Sequence, residues 1–383
     1  MRVLLITSDF KPKHNSAAAH MHSLYEFLYG LGLTVDICTQ TRPAFSDREG
    51  NIFFSNNPFA NTDNYLVRLI FELLSPILIY LKYQKIRKTQ YDYVVTYSPS
   101  IFWIILLLLI KQRNKNSKKI LLLRDIFPDW AIGMGIIRNP LIGRFFSLIA
   151  TKLYNFHDEI CVQSEYDKEL LIKKGINKEK LKIVYSWYDL SAQRVEVSEN
   201  TSKFGDYCVY LGNLGVAQGR DKYLDIMKRL ASKCSSMNFL FIGLKSKDQE
   251  YGEEKLGHLQ NVYFLPPMSG DALLRTVSRA QFGLFALDFS LLTNNVPGKS
   301  LFYTCNGIPS IGWVENNQEL EKLFDENEIG FLTSEYSKLY NFISTKKYAK
   351  LDKSIILNVA FEKFSTAAAV KKIFGRLEVN DEA

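Results

Sequence analysis

The chain is poor in the residues that mark several protein classes. Its five cysteines, Cys38, Cys161, Cys208, Cys234 and Cys305, are odd in number, widely spaced and without a C-x-x-C pair. They read as reduced core thiols and exclude a disulfide framework or a thiolate metal site. Five histidines show no ligand spacing. Only 21 Gly and 11 Pro occur, with no low-complexity tract and no internal repeat, so disordered and solenoid classes fall away. The longest apolar run, Ile101 to Ile110, has ten residues, whereas a membrane-spanning helix needs about 20. Met1-Arg-Val-Leu-Leu-Ile-Thr7 lacks the long apolar region and small-residue cleavage site of a signal peptide and reads as a buried strand.

What is there is globular: 383 residues, 47% hydrophobic and 13% aromatic, enough for two ordinary domains. The net charge of +8 is unevenly placed. Between Asn64 and Tyr154 fourteen Lys or Arg face four acids, Glu72, Asp92, Asp125 and Asp129, a local +10 that leaves the remainder at −2. The same region carries long apolar helical stretches. Tyr65 to Lys88 ends in Lys82, Lys85, Arg87 and Lys88, and Pro140 to Tyr154 joins Phe145, Phe146, Leu148 and Ile149 with Arg144 and Lys152. Such segments suit the interface of an anionic membrane and equally suit amphipathic helices covering a sheet. No helix-turn-helix, zinc finger or aromatic RNA-binding signature accompanies the charge, so no nucleic-acid partner is expected.

Along the chain, β and α patterns alternate. Residues 2 to 7 form the first strand, the loop Ser8 to His20 follows, and a helix through about Gly30 leads to a strand at Thr34 to Thr39, a βαβ unit. The loop's small residues, Ser16 to Ala19, stand where a backbone passes close to a ligand or simply turns tightly. Further strands are expected at Tyr93 to Tyr97, Lys119 to Asp125, Glu159 to Ser164 and Leu181 to Ser186. The polar stretch Ser191 to Asp206 reads as a domain boundary. A second series follows at Tyr207 to Gly212, Asn238 to Gly243, Asn261 to Leu265, Phe282 to Leu287 and Pro309 to Val314, and Asp352 to Leu377 reads as helical. The expected domains are 1–195 and 196–365, two doubly wound α/β domains facing a cleft, with 366–383 as a helix crossing back to the first.

The most informative stretch runs from Ser290 to Ser310. It reads strand, loop, helix, strand, with Pro297 at the first helical position, a helix from Gly298 to Asn306, and Gly307 as the helix-ending residue. Its N-terminus would offer unpaired amides and Lys299 at the carboxyl end of a parallel strand, a seat for a diphosphate. The other reading is a plain loop entering a helix, with Lys299 solvated.

Several stretches, in order, resemble one family. The opening strand, Phe10-x-Pro12 and His20 match a first βα turn in which Ala17 and Ala18 replace the usual Gly-Gly. Asp125-Ile-Phe-Pro-Asp129, Val162-Gln-Ser-Glu165, Tyr185-Ser-Trp-Tyr-Asp189, Gly212-Asn-Leu-Gly-Val-Ala-Gln-Gly219, Val296-Pro-Gly-Lys299 and Asn306-Gly-Ile-Pro309 are similar to successive family segments. The chain thus resembles the GT-B fold glycosyltransferases of family 4, in the bacterial branch that builds surface polysaccharides.

The resemblance implies a retaining hexosyl or N-acetylaminosugar transferase working in O-antigen, capsule or lipopolysaccharide synthesis. The donor would be a nucleotide-sugar, with UDP expected, and the acceptor a lipid-diphosphate-linked glycan at the cytoplasmic membrane face. It implies donor contacts at Gly212, Asn213, Gly215, Gln218, Asn294, Pro297, Gly298, Lys299 and Ser300, and acceptor or cleft contacts at Ser16, Ala17, His20, Arg124 and Asp125. Lys299 would stabilise the leaving diphosphate and Asp125 would orient the acceptor; Asp125 also reads as a helix cap, and His20 as an ordinary helix residue. No Asp-x-Asp triplet occurs, so no metal and no cofactor is expected. Departures are clear. Asn213 and Gln218 stand where the family carries Arg and Lys, and Asn294 and Phe302 where it carries paired glutamates. Two further readings therefore stay open, a non-catalytic partner subunit and, with the same fold, a sugar-nucleotide epimerase.

Overall fold

A computed structural model describes residues 1–13, 15–43, 50–56, 65–98, 100–133, 135–190, 204–215, 218–288, 296–315 and 317–375. The chain divides into two compact units, Met1–Tyr185 with Ala369–Ala383, and Ser186–Ala368.

Unit 1 is built on seven parallel strands: β1 (Arg2–Ile6), β2 (Thr34–Thr39), β3 (Ile52–Phe54), β4 (Tyr93–Tyr97), β5 (Lys118–Leu122), β6 (Glu159–Val162) and β7 (Leu181–Ile183), in the order β3-β2-β1-β4-β5-β6-β7. Their near-continuous apolar runs fit a sheet covered on both faces. The connecting helices are α1 (Ser16–Gly30), α2 (Tyr65–Lys82), α3 (Gln84–Lys88), α4 (Trp103–Ile110), α5 (Asp129–Gly133), α6 (Pro140–Phe156) and α7 (Glu165–Lys173). One core joins Leu4, Val94, Leu121 and Ile160 of the sheet to Ile79 of α2, Leu106 of α4, Phe146 of α6 and Leu171 of α7, so these four helices cover one face.

Unit 2 has six parallel strands: β8 (Tyr207–Leu211), β9 (Asn238–Ile242), β10 (Val262–Leu265), β11 (Gly283–Ala286), β12 (Ser310–Trp313) and β13 (Gly330–Thr333), in the order β10-β9-β8-β11-β12-β13. Its helices are α8 (Arg220–Lys233), α9 (Ser246–Leu256), α10 (Gly270–Ser278), α11 (Gly298–Cys305), α12 (Gln318–Asn327), α13 (Tyr336–Ser344) and α14 (Lys353–Val359); α15 (Thr366–Phe374) ends the described chain. Phe374 lies in the C-terminal part of unit 1 and packs edge-on against Tyr93 of the same unit, with centroids 5.1 Å apart.

The two-domain α/β class is as expected, and several local expectations are corrected. The helix expected over Tyr65 to Lys88 breaks at Tyr83, whose backbone is extended at φ −112°. The loop after β1 is shorter than expected, because the Asn15 side chain accepts from Ala18 N and caps α1. Pro297 caps α11 from outside at ψ 133° and is not its first residue, while Asn306 follows the helix as its cap and Gly307 takes φ +68°. The strand before Asp125 ends at Leu122, three residues short of it. The tail is not one helix: it is interrupted at Ser365, which bridges to Tyr188 in parallel pairing. Strands β3 and β13 were not expected.

Candidate functional site

In unit 2, β8 lies between β9, which follows it in the chain, and β11, which comes after β10. Connections leave in opposite directions from this pair, the switch point at which α/β sheets open a crevice at their carboxyl ends. The ladder between β8 and β11 is short, Gly283 with Val209 and Leu284 with Tyr210. Beyond it the buried Tyr303 hydroxyl accepts from Leu211 N (3.1 Å) and donates to the Leu284 carbonyl (3.0 Å), bridging the two strands. Its ring fills the space over Gly283, where a Cβ would lie 2.2 Å from the ring.

The loop after β8 and the start of α11 meet at this point. Lys299 Nζ donates to the Tyr210 hydroxyl (2.8 Å) and to the Asn213 carbonyl, and stands 3.9 Å from the centre of the Tyr210 ring. Tyr210 also donates to that carbonyl (3.0 Å). Burial lowers the Lys299 ammonium to about 7, although part of its surface stays open to water. The amides of Gly298, Lys299 and Ser300 form the first turn of α11, where no intrahelical carbonyl is available to them. Together they make a positive end facing a glycine-bearing loop.

Of the expected donor residues, Gly212, Asn213, Gly215 and Gln218 share one loop, and Lys299 ties Asn213 to α11. Gln218 serves the loop itself, its Oε1 accepting from Gly215 N at 3.0 Å. Gly219 has φ +62°, and a Cβ there would stand 3.1 Å from Asp288 Oδ2, so only glycine suits this contact. The buried Ser300 hydroxyl donates to the Pro297 carbonyl (2.9 Å), which leaves only its backbone for a ligand. Asn294 lies outside the described residues. Phe302 turns to packing: its ring meets Tyr188 at 5.7 Å and 60°, and the Tyr188 hydroxyl donates to the Gly298 carbonyl at 3.0 Å. Arg220 could have restored the charge missing from the loop, but Asp221 and Asp248 hold it at 3.2 and 3.1 Å.

In unit 1 the carboxyl ends of β1, β4 and β5 gather His20, Tyr97, Arg124 and Asp125. His20 Nδ1 lies 3.0 Å from the Tyr97 hydroxyl, and Arg124 Cζ lies 5.8 Å from the centre of the Tyr97 ring. His20 (5% exposed) and Arg124 (6%) are buried. Arg124 donates to the Val184 carbonyl at 2.9 Å. Burial, and then Arg124, push His20 down to about 3, so it is neutral near pH 7. Asp125 remains exposed; burial of its surroundings raises its carboxyl and Arg124 opposes this. It caps no helix among the described residues, since α5 starts at Asp129. Ser16 is exposed and Ala17 half-buried in the first turn of α1.

Tyr210, Tyr303 and Tyr188 were not singled out from the sequence. The available signal was that tyrosines in buried runs need hydroxyl partners, and those partners lie 3 to 110 residues away.

No family model matches the sequence, and no curated protein does. Solved structures match its fold over nearly the whole chain. HepE from Anabaena with UDP and glucose bound is 14% identical, with a TM-score of 0.62 over 97% of each chain. Sucrose-phosphate synthase from Thermosynechococcus elongatus is 13% identical, with a TM-score of 0.69 over 97% of this chain and 96% of that one. WaaG, a glycosyltransferase of lipopolysaccharide biosynthesis, is 12% identical, with a TM-score of 0.64 over 98% of this chain and all of the other. With its parallel sheets of seven and six strands, the chain has the GT-B fold these enzymes share.

Proposed function

We propose that the chain is a glycosyltransferase that takes a sugar from a nucleotide donor. The observation that carries this reading is the meeting of Lys299 and the first turn of α11 with Tyr210 and Asn213, at the switch point of unit 2. Departure of a nucleoside diphosphate leaves charge on its phosphates as the glycosidic bond breaks. An ammonium and free amides placed there favour the transition state over the ground state. Lys299 is the group that meets this charge, and Gly298 and Ser300 contribute backbone. UDP is the preferred donor nucleotide, in keeping with the UDP bound by HepE. Retention at the anomeric carbon, a hexose or N-acetylaminosugar, and turnover without metal complete the reading.

The acceptor side is unit 1, with Asp125 as the exposed group beside Arg124 and His20. The acceptor is a lipid-diphosphate-linked glycan of a surface polysaccharide, met at the cytoplasmic membrane face. The association there is taken to be peripheral; among the described residues no helix is long and apolar enough to cross a membrane.

A second reading, a non-catalytic binding subunit, is favoured by Phe302, whose ring is committed to Tyr188 where the resemblance expects a carboxylate. Titration of UDP, GDP and ADP without metal into the protein and its Lys299→Ala variant tests the donor site, and a panel of UDP-sugars with a lipid-linked acceptor tests transfer. Selective UDP binding lost at least tenfold in the variant, followed by turnover, is the expected result. Binding without turnover leaves the subunit reading; no nucleotide binding overturns the donor site.

A further inference from the structure

Three helices of unit 1 are apolar on the side turned away from the core. In α2 the buried side holds Ser75 and Ile79, yet Ile70, Leu73, Leu74, Leu78 and Leu81 recur on the opposite side and are exposed. A surface helix normally turns polar residues outward. In α6, Gly143, Phe146, Ala150 and Leu153 are buried, while Leu141 (70% exposed), Phe145 and Leu148 (66%) form an outward stripe. Leu108 and Leu109 of α4 are exposed as well. Helix α4 packs against both α2 and α6, and all three cover the same face of the sheet. Their outward stripes therefore lie side by side, and α5 adds Trp130 and Ile132 next to α6, where a Cβ on Gly143 would lie 3.2 Å from Ile132. An apolar surface spread over four helices is uncommon on a protein that meets only water.

The charges within the three helices are nearly all positive, while Asp129 of α5 pairs with Lys174 at 2.8 Å. Within α2, α4 and α6 the only acid is Glu72. Lys82 ends α2 and Lys85 lies in α3, Lys111 and Arg113 follow α4, and Arg144 and Lys152 belong to α6. At the end of α2 a recess of about 620 Å³ is lined by Arg42, Lys82 and Lys85 together with Tyr25, Phe54 and Tyr83. Lys82 Nζ lies 4.3 Å from the centre of the Phe54 ring and 4.9 Å from that of Tyr83.

We propose that unit 1 docks on an anionic lipid bilayer through the outward face of α2, α4 and α6, with Arg42, Lys82 and Lys85 against headgroup phosphates. Large aliphatic side chains on the outward face, with cations outnumbering acids around it, match the acyl boundary and the negative surface above it. A protein partner would have to match both features at once. The docking rests on the peripheral association proposed above and names the surface for it; it requires no nucleotide, so it holds for a transferase and a binding subunit alike.

The test uses the full chain with vesicles of phosphatidylglycerol and phosphatidylcholine, and with phosphatidylcholine alone. Of the four tryptophans only Trp130 is exposed, Trp103, Trp187 and Trp313 being buried, so its emission reports docking beside α6. The expected result is co-sedimentation with the mixed vesicles at least tenfold stronger than with phosphatidylcholine, weakened by salt, with a blue shift of emission. The triple variant Leu141→Ser, Phe145→Ser, Leu148→Ser, altered only at exposed positions, should lose at least tenfold in binding while melting as the parent does. Lys82→Gln with Lys85→Gln should lose the preference for anionic vesicles. Absence of vesicle binding, or unchanged binding of the triple variant, overturns the proposal. So does a dimer that the triple variant dissociates, since a second copy then covers the face, or full competition by free glycerophosphate, which marks a soluble-anion site. UDP titration of the same samples separates failure here from failure of the donor site.

Discussion

Lys299 Nζ and the Tyr210 hydroxyl are 2.8 Å apart, joining the first turn of α11 to the last part of β8 across 89 residues of sequence. Tyr210 and Lys299 both donate to the Asn213 carbonyl, so the loop that follows β8 is pinned from two sides. A lysine whose pKa burial has brought to about 7 exists near neutrality as a mixture of ammonium and amine. A dianionic ligand would favour the ammonium.

Binding of UDP is therefore expected to take up a proton. Between the free lysine's pKa near 7 and its higher value in the complex, the free protein holds less than one proton on Lys299 and the complex about one. Calorimetry at pH 8 in buffers of different ionisation enthalpy should show uptake approaching one proton, declining toward pH 6, and none in Lys299→Ala. Proton release, or uptake unchanged in the variant, removes Lys299 from the phosphate site.

Gly283→Ala should damage unit 2 through Tyr303. The added Cβ would lie 2.2 Å from the Tyr303 ring, which cannot move without giving up its bridge between Leu211 N and the Leu284 carbonyl. Overpacking of this kind costs about 1–3 kcal/mol, and in a unit of this size each kcal/mol lowers Tm by about 2–4 °C. UDP affinity should fall with it, because the displaced hydroxyl holds the switch point. Scanning calorimetry of the variant checks the first effect and titration the second.

Much of this architecture was readable because parallel strands buried on both faces appear as short apolar runs between helical stretches. Tyr93 to Tyr97 was read with its observed bounds. The strands Ile52–Phe54 and Gly330–Thr333 were not read, while the edge strands Leu181–Ile183 and Val262–Leu265, equally short, were. The break at Tyr83 carries no proline or glycine to mark it. Within the candidate site, Pro297, Gly298 and Lys299 announced a helix start, and the glycines announced a loop. The tyrosine hydroxyls that join those pieces left no local mark, because a hydrogen bond across 89 residues has no period. Phe302 was visible as a missing carboxylate, yet only its contact with Tyr188 shows what replaced that role.

Asp36 is expected to be a stability residue of unit 1, unrelated to any ligand. Fully buried, it accepts from Arg2 Nε and Nη2 (3.1 and 3.0 Å), the Tyr91 hydroxyl (2.9 Å), and Asn51 N and Nδ2 (2.7 and 3.1 Å). Asp36→Ala leaves these donors without their acceptor, and loss of one partner from such a buried charge network costs about 3–5 kcal/mol. Urea unfolding should show an early transition from unit 1, with UDP protection of unit 2 retained. A variant as stable as the parent would mean that water replaces the carboxylate.

Acid sensitivity should trace in part to His157. The Leu153 carbonyl, 2.7 Å from Nδ1, can only accept, so Nδ1 carries the proton and Nε2 accepts from Thr96 Oγ1 at 3.2 Å. Burial lowers this imidazole to about 4 despite the opposing bond to Leu153. An unfolded histidine titrates near 6.5, so between pH 6.5 and 4 the unfolded chain binds the extra proton and stability rises with pH. The contribution is complete above pH 6.5 and is lost as the pH falls toward 4, roughly 3 kcal/mol at most. Buried His20, at about 3, acts in the same direction. His157→Gln should be less stable at pH 7 but should lose less stability between pH 6.5 and 4.5 than the parent, by up to one proton's worth of slope. Urea midpoints at a series of pH values measure this directly. An unchanged slope would mean that His157 is already solvated and charged in the folded protein.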